Sequence, residues 1–302
     1  MKVGLGTAQL GLDYGVANRT GRVGDAELGR ILAVARERGV GVIDTAAAYG
    51  DAEERLGQAL GSTHPFQIVT KLPARPDGAG PGSVAAWVGE IVRRSLTRLR
   101  AGHVHGILVH AVADLLGQTG PETWHKLEEL REAGLVSRIG ASVYDAAQLD
   151  ALLAAYPLQL VQVPVSVLDQ RLVRSGYLDR LHRAGIEVHA RSAFLQGLLV
   201  MDPGNLRDPR FAEARETVRA FQAAARAAGR SPAEAATTFV VGLDAVDAAI
   251  FGVETAAQLE EILASAMPLA DLSGAPKGLP AGWHAPFALN DPEVLDPSRW
   301  PR

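Results

Sequence analysis

Four side chains that can take part in proton transfer lie at the ends of apolar runs in the first 110 residues. Asp44 closes VGVID, Tyr49 follows it in the turn AAAYGD, Lys71 lies near the end of QIVTKL, and His110 closes HGILVH. A free tyrosine hydroxyl has a pKa near about 10, which a buried ammonium lowers, while a carboxylate keeps that ammonium charged. We therefore predict that Asp44, Lys71 and Tyr49 form a proton-transfer chain in which the Tyr49 pKa is lowered. The imidazole of His110 can orient a carbonyl oxygen or share the proton transfer.

The elements that must position these side chains alternate along the whole chain. Short runs that are apolar on both faces predict strands, and the amphipathic stretches between them predict helices. Such strands form a parallel sheet covered by helices, and eight of them favour a closed (β/α)8 TIM barrel over an open doubly wound sheet. The strands are predicted at 2–6, 40–45, 67–72, 105–110, 137–142, 158–165, 187–192 and 248–253.

The barrel is predicted to be a single α/β domain over residues 1–267, followed by a C-terminal tail, 268–302, packed on it. Chemistry in such a barrel gathers at the C-terminal ends of the strands, where the four side chains are expected to converge. An extra helix is predicted to begin at Ser231 as N-cap, with Pro232 at its first position. The other helices are predicted at 25–38, 52–60, 84–100, 121–133, 146–155, 177–184, 211–228 and 255–266.

Composition excludes several classes of function. The 302 residues are 47% hydrophobic and carry a formal net charge of -4, which supports a packed core and offers no basic field for nucleic acid. The absence of cysteine excludes disulfides and a cysteine nucleophile. Neither a secretory signal nor an uninterrupted membrane-spanning run is present in the sequence, so we expect a cytoplasmic protein without a membrane segment. His103 and His105 lack a third metal ligand, and we predict no metal.

Longer motifs carry a resemblance to a known family. The segment DTAAAYGDAEERLGQAL, the strands ending TKL and LVH, and GIEVHARSAFLQGLL together resemble the aldo-keto reductases, and the likeness covers nearly the whole chain. The resemblance implies reduction of a carbonyl compound by a nicotinamide dinucleotide. It also implies that Tyr49 is the general acid, that Lys71 and Asp44 adjust the pKa of Tyr49, and that His110 orients the substrate. Glu53, in the first turn of its helix, is interpreted as stabilising the helix end and not as catalytic.

The same resemblance implies a cofactor held extended across the barrel mouth. GLGTAQLG is not the dinucleotide fingerprint of a Rossmann domain, because Gln9 occupies the place of the third glycine. Arg191 stands where many family members have an aromatic ring against the nicotinamide; its planar guanidinium can also stack, and a structural ion pair is the alternative. The residues expected to bind the cofactor are Gly6, Thr7, Asp44, Ser142, Gln162, Arg191, Ser192, Gly252, Gln258 and Glu261.

Two positions depart from the family pattern and leave the cofactor contacts open. Val143 replaces the asparagine that usually follows the serine at the nicotinamide amide, and Ile262 replaces another asparagine in the segment that receives the adenosine 2'-phosphate. That segment, IFGVETAAQLEEI, also contains no lysine or arginine, although a phosphate is recognised best by a cation or a helix N-terminus. The resemblance favours NADPH, with NADH as the rival.

Substrate and assembly are less defined by the sequence. Loops at the mouth and the aromatic residues of the tail could line it, although core packing or an oligomer contact explains the tail equally well. We expect a small carbonyl or sugar-like substrate, and the sequence does not define an oligomeric state. The first alternative function is a cofactor-sensing binding barrel with little turnover. The second is a lyase or isomerase that uses Lys71 as a Schiff base, which a neighbouring carboxylate disfavours by keeping the amine protonated.

Overall fold

Eight parallel strands close into a barrel in the computed structural model, which describes residues 2–18, 20–75, 84–206, 208–266 and 282–300. Each strand pairs in parallel with the next one along the chain, and β8 pairs with β1. The predicted (β/α)8 barrel is therefore confirmed. The strands are β1 (Val3–Gly6), β2 (Val42–Asp44), β3 (Gln67–Leu72), β4 (Val104–Val109), β5 (Val136–Ser142), β6 (Leu160–Pro164), β7 (Glu187–Arg191) and β8 (Ala248–Gly252).

Helices follow the strands and cover the outside of the barrel. The longer ones are α2 (Asp25–Glu37), α3 (Ala52–Leu60), α4 (Val84–Leu99), α6 (Gly120–Glu132), α7 (Ala146–Ala155), α9 (Tyr177–Arg183), α10 (Ala212–Ala227), α11 (Pro232–Val241) and α12 (Ala256–Ala266). Four helices of a single turn were not predicted: α1 (Ala8–Gly11), α5 (Ala113–Leu116), α8 (Arg171–Arg174) and α13 (Pro292–Leu295). Ser231 caps α11 as predicted, and its hydroxyl accepts the N–H of Glu234, whose carboxylate returns a bond to the Ser231 N–H.

Two layers of apolar side chains hold the barrel together. The inward-facing side chains of the strands form a small cluster that fills the interior. It comprises Val42, Val69, Leu108, Leu160, Ala248 and Ile250. A much larger cluster lies between the strands and the surrounding helices. Because the strands are buried on both sides, they read as continuous apolar runs, and the polar residues that end them lie at the rim.

The described part of the tail, residues 282–300, packs on the outside of the barrel. Trp300 and Phe287 are buried, and their rings contact Phe211 and Phe221 respectively, beside and within α10. The Leu289 N–H donates to the Leu168 carbonyl at 2.8 Å. These contacts are core packing, one of the alternatives that the sequence left open, while tail residues 268–281 and 301–302 lie outside the described residues.

Candidate active site

A cavity of about 550 Å³ opens at the C-terminal ends of the strands. Asp44 ends β2, His110 directly follows β4, and both line this cavity together with Tyr49. Lys71, in β3, lies beneath them, fully buried, with its ammonium 5.1 Å from the centre of the Tyr49 ring. The four residues singled out from the sequence are thus brought together at one mouth.

The ammonium of Lys71 and the carboxylate of Asp44 form a buried ion pair. Lys71 Nζ donates to both carboxylate oxygens, at 2.7 and 2.6 Å, and to the Thr45 carbonyl at 3.0 Å. Gln162 Nε2 donates to the same carboxylate at 2.7 Å. Burial lowers the Lys71 pKa, and the neighbouring carboxylate of Asp44 opposes that change. All three ammonium protons have acceptors, so Lys71 is satisfied within the barrel and offers none to Tyr49.

The predicted lowering of the Tyr49 pKa is wrong in sign. Burial raises this pKa, the charge of Asp44 raises it further, and Arg191 supplies the opposing cationic field. The main physical reason is burial of the phenol, which disfavours the charged phenolate; in addition, Lys71 is paired with Asp44, so the pair presents no net positive charge to the phenol. Tyr49 therefore keeps its proton at neutral pH, which is the state required of a proton donor.

Close backbone approach fixes the turn that carries Tyr49. The Cα of Gly11, at the end of α1, lies against the Tyr49 carbonyl, and a Cβ there would overlap that oxygen. Gly50, directly after Tyr49, has a φ of +56°, and a Cβ on it would overlap the Gly11 carbonyl. Two glycines thus allow the loop after β1 to hold the tyrosine in place.

His110 stands edge-on to Tyr49, with the ring centres 6.1 Å apart and the planes at 83°. Burial lowers the His110 pKa to about 4, and the nearby charges of Lys71 and Arg191 act in the same direction. The imidazole is therefore neutral at pH 7 and can donate a hydrogen bond to a substrate oxygen from one nitrogen.

Arg191, at the end of β7, faces this corner, and its hydrogen bonds within the described part of the chain are to a hydroxyl and a carbonyl and not to a carboxylate. Its guanidinium lies over the Tyr144 ring, 4.3 Å from the centre, and donates to the Val143 carbonyl at 3.2 Å. It also donates to the Ser192 hydroxyl at 3.2 Å. Of the two sequence interpretations, stacking describes Arg191 better than an ion pair does, although the ring it stacks on belongs to the protein. Ser192 has a φ of +64°, which marks a constrained backbone beside the site.

The remaining predicted cofactor residues are divided between the cavity wall and the layer below it. Gly6, Thr7, Gln162, Gly252, Gln258 and Glu261 line the cavity. Ser142 is buried and is absent from the cavity lining. Thr7 donates through its hydroxyl to the Asp44 carbonyl at 2.9 Å, so it also holds the end of β2 that carries Asp44.

Several wall residues were not singled out from the sequence, among them Tyr144; Gln9 and Tyr14 also line the cavity, in a loop that was expected to line or cover the mouth. Gln9 Oε1 is buried without a hydrogen-bond partner, and a Cβ on Gly252 would lie 2.5 Å from the Gln9 amide. The missing side chain at Gly252 and the unpaired amide oxygen fit a polar ligand that passes along this wall. Gln9 and Tyr144 each lie within three residues of a strand's C-terminal end, which was the available signal.

Two other polar groups from the sequence have structural contacts. Glu53, in the first turn of α3, is buried and accepts the Thr70 hydroxyl at 2.7 Å. His105 Nε2 donates to the Glu187 carboxylate at 3.0 Å, at the opposite end of the barrel from the cavity. Among the described ranges no group of His, Asp and Glu side chains is arranged to hold a metal ion, and no described helix is long and apolar enough to cross a membrane.

The cavity extends beyond the catalytic corner, which gives it room for a long ligand. Its far part is lined by the start of α11 and by the loop and helix after β8, namely Ser231, Pro232, Ala233, Glu254, Gln258, Glu261 and Ile262. A ligand that reaches both parts can place one end against Tyr49 and His110. Fold and site together define a (β/α)8 barrel whose strand ends surround an extended cavity, with a phenol, an imidazole and a buried ion pair at one end of it.

The family profile of the aldo/keto reductase family matches residues 2–272, and the chain belongs to that family. It is accordingly an NAD(P)-dependent oxidoreductase. The aldo-keto reductase YhdN of Bacillus subtilis (strain 168) is 25% identical over 284 residues, which cover 86% of this chain and 83% of YhdN.

Two further comparisons agree with this assignment. The NADH-specific methylglyoxal reductase of Escherichia coli (strain K12) is 30% identical over 179 residues, covering 53% of this chain and 54% of that protein. The holo form of an aldo-keto reductase from Bacillus halodurans matches with a TM-score of 0.72 and 19% identity, over 99% of this chain and 95% of that one. The latter likeness shows the shared fold.

Proposed function

We propose that this protein reduces an aldehyde or ketone to an alcohol, with Tyr49 as the proton donor. The observation that carries the proposal is the convergence of Tyr49, His110 and the Asp44–Lys71 pair at one end of an extended cavity. A bound reduced nicotinamide would supply the hydride to the carbonyl carbon. The reaction is reversible, and the same residues serve both directions.

The chain's own residues supply the remaining steps. Tyr49 holds a proton at its Oη because its pKa is raised, and it gives that proton to the carbonyl oxygen as the oxygen gains charge. Neutral His110 donates a hydrogen bond to the same oxygen and fixes its position. The phenolate left on Tyr49 is stabilised by the nearby charge of Arg191, and it regains a proton from solvent.

The residues at the cavity mouth support a small, polar carbonyl or sugar-like substrate. Tyr14, Tyr144, Arg191 and Gln196 offer hydroxyl, guanidinium and amide groups around the catalytic corner. The name of the Escherichia coli relative, a methylglyoxal reductase, supports the small end of that range. Function in the cytoplasm stays a prediction that cell fractionation tests.

Replacement of one oxygen atom tests the proposal. Tyr49→Phe removes the proton donor but keeps the ring, so we expect a loss of at least about a hundredfold in kcat with aldehydes, since general acid catalysis contributes about 10²–10⁴. Cofactor binding should change little. Tyr177→Phe is the matched control, because Tyr177 lies on α9 with its hydroxyl bound to Asp150 and away from the cavity. Unchanged turnover by the Tyr49 variant would refute the assigned role.

A further inference from the structure

The two ends of the cavity differ in charge, and this difference bears on which nicotinamide dinucleotide the protein takes. On the proposed function, the nicotinamide lies beside Tyr49, so an extended dinucleotide places its adenosine at the far part of the cavity. Among the described residues that line the cavity, Arg191 is the sole cation, and it lies at the catalytic end.

Two carboxylates line the far part instead. Glu254 follows β8, and its Oε2 accepts the Thr20 hydroxyl at 3.3 Å. Glu261, on α12, accepts the Ser231 hydroxyl at 3.3 Å. Each carboxylate is thus oriented by a hydroxyl from another part of the chain. A carboxylate is a good acceptor for the paired hydroxyls of a ribose and a poor neighbour for a phosphate dianion.

The amides at the start of α12 are also engaged. The Ala256 N–H, at the first position of that helix, donates to the Glu27 carboxylate at 2.6 Å. The Gln258 N–H donates to the Thr255 hydroxyl at 3.2 Å. The bond from Ala256 is the main reason why the Glu27 pKa is lowered, so this carboxylate is ionised and offsets the positive end of the helix dipole. The N-terminus of α12 therefore already binds a carboxylate, and a phosphate placed there would have to compete with it.

We propose that the far part of the cavity selects NADH over NADPH. Glu254 and Glu261 accept hydrogen bonds from the adenosine ribose hydroxyls, and their charges repel a 2'-phosphate. This assignment rests on the proposed function and reverses the NADPH preference that the family resemblance implies.

Titration of the purified protein with NADH and with NADPH tests the proposal directly. Binding is measured by the change in nicotinamide fluorescence, without substrate, at low and at high salt. We expect the Kd for NADH to be at least tenfold below the Kd for NADPH at low salt, and the ratio to shrink at high salt because the repulsion is screened.

Charge-reversal variants separate repulsion from shape. Glu254→Lys and Glu261→Lys should each tighten NADPH binding by about tenfold and weaken NADH binding by less. Glu260→Lys is the matched control, since it adds the same charge on an exposed position of α12 away from the cavity lining, and it should leave the ratio within about twofold.

The outcomes distinguish this proposal from the proposed function. Equal or tighter binding of NADPH by the unaltered protein overturns the NADH preference but leaves carbonyl reduction intact. A preference for NADH that none of the charge reversals changes overturns the role of the two glutamates. Binding of neither cofactor overturns the proposed function, and the preference with it.

Discussion

Breaking the buried Asp44–Lys71 pair should reveal how strongly the catalytic corner depends on charge. Asp44→Asn keeps the shape of the side chain but leaves the ammonium of Lys71 without a counter-charge, in a position where the lysine side chain is 0% exposed and Asp44 is 6% exposed. Loss of one partner of a buried pair costs about 3–5 kcal/mol in general. The expected decrease in the free energy of unfolding lies in that range.

Titration of the lysine sets an upper limit to the decrease. The variant can bury Lys71 as a neutral amine, and release of its proton at pH 7 from an ordinary pKa of 10.5 costs about 5 kcal/mol, at about 1.4 kcal/mol per pH unit. In that state the unfolded chain binds one more proton than the folded chain, so stability of the variant relative to the unaltered protein should rise between pH 7 and pH 10.

Urea unfolding at pH 7 and at pH 9.5 is the assay. Asp51→Asn is the matched control, because Asp51 pairs with Arg22 at the surface, with 42% and 48% of the side chains exposed, and should cost at most about 1 kcal/mol without a pH slope. Addition of Lys71→Met to Asp44→Asn should recover stability by removing the stranded charge. A cost below about 1 kcal/mol for Asp44→Asn, with no recovery in the double variant, would refute the account of the pair.

Two further predictions concern the geometry and the titration of the site. The His110 pKa of about 4 lies below the ordinary 6.5, so the folded protein binds fewer protons and loses about 3 kcal/mol as the pH falls from 6.5 through 4. His110→Gln should remove that part of the acid sensitivity in urea unfolding, and an unchanged pH slope would contradict the burial of a neutral imidazole. Gly11→Ala should displace the Tyr49 turn and reduce both stability and kcat, since its Cβ has no room. In contrast, Gly29→Ala, in the open interior of α2, should stabilise by up to about 1 kcal/mol; equal effects of the two would disprove the close approach.

Hydrophobic pattern predicted the barrel well because strands buried on both faces produce apolar runs that differ from the amphipathic helices between them. The eight observed strands overlap the eight predicted runs. Single-turn helices such as α1 and α8 escaped the sequence because four residues contain barely one helical period. Their contacts with the rest of the barrel, and not local propensity, determine them.

Convergence of the four candidate side chains followed from the barrel rule, but their electrostatics did not. Which acceptors take the three protons of Lys71 depends on the positions of the Asp44 carboxylate and the Thr45 carbonyl, and these are properties of the folded site. The sequence therefore suggested Lys71 as the cation acting on Tyr49, whereas Arg191, distant in the chain, supplies that field. The Glu27 bond to the start of α12 spans 229 residues, and no local motif indicates it.

The two ends of the cavity come from different stretches of the chain, which lets them change separately. Asp44, Tyr49, His110 and Arg191 lie at one end of the cavity, and the far end is lined by residues from 231–233 and 254–262. Among the described residues no hydrogen bond joins Tyr49 or His110 to Glu254 or Glu261, so substitutions at the two ends should combine additively. Natural or laboratory selection can then change the preference between NADH and NADPH without altering the residues proposed to transfer the proton. The same barrel can thereby be adapted to whichever reduced cofactor the cell supplies.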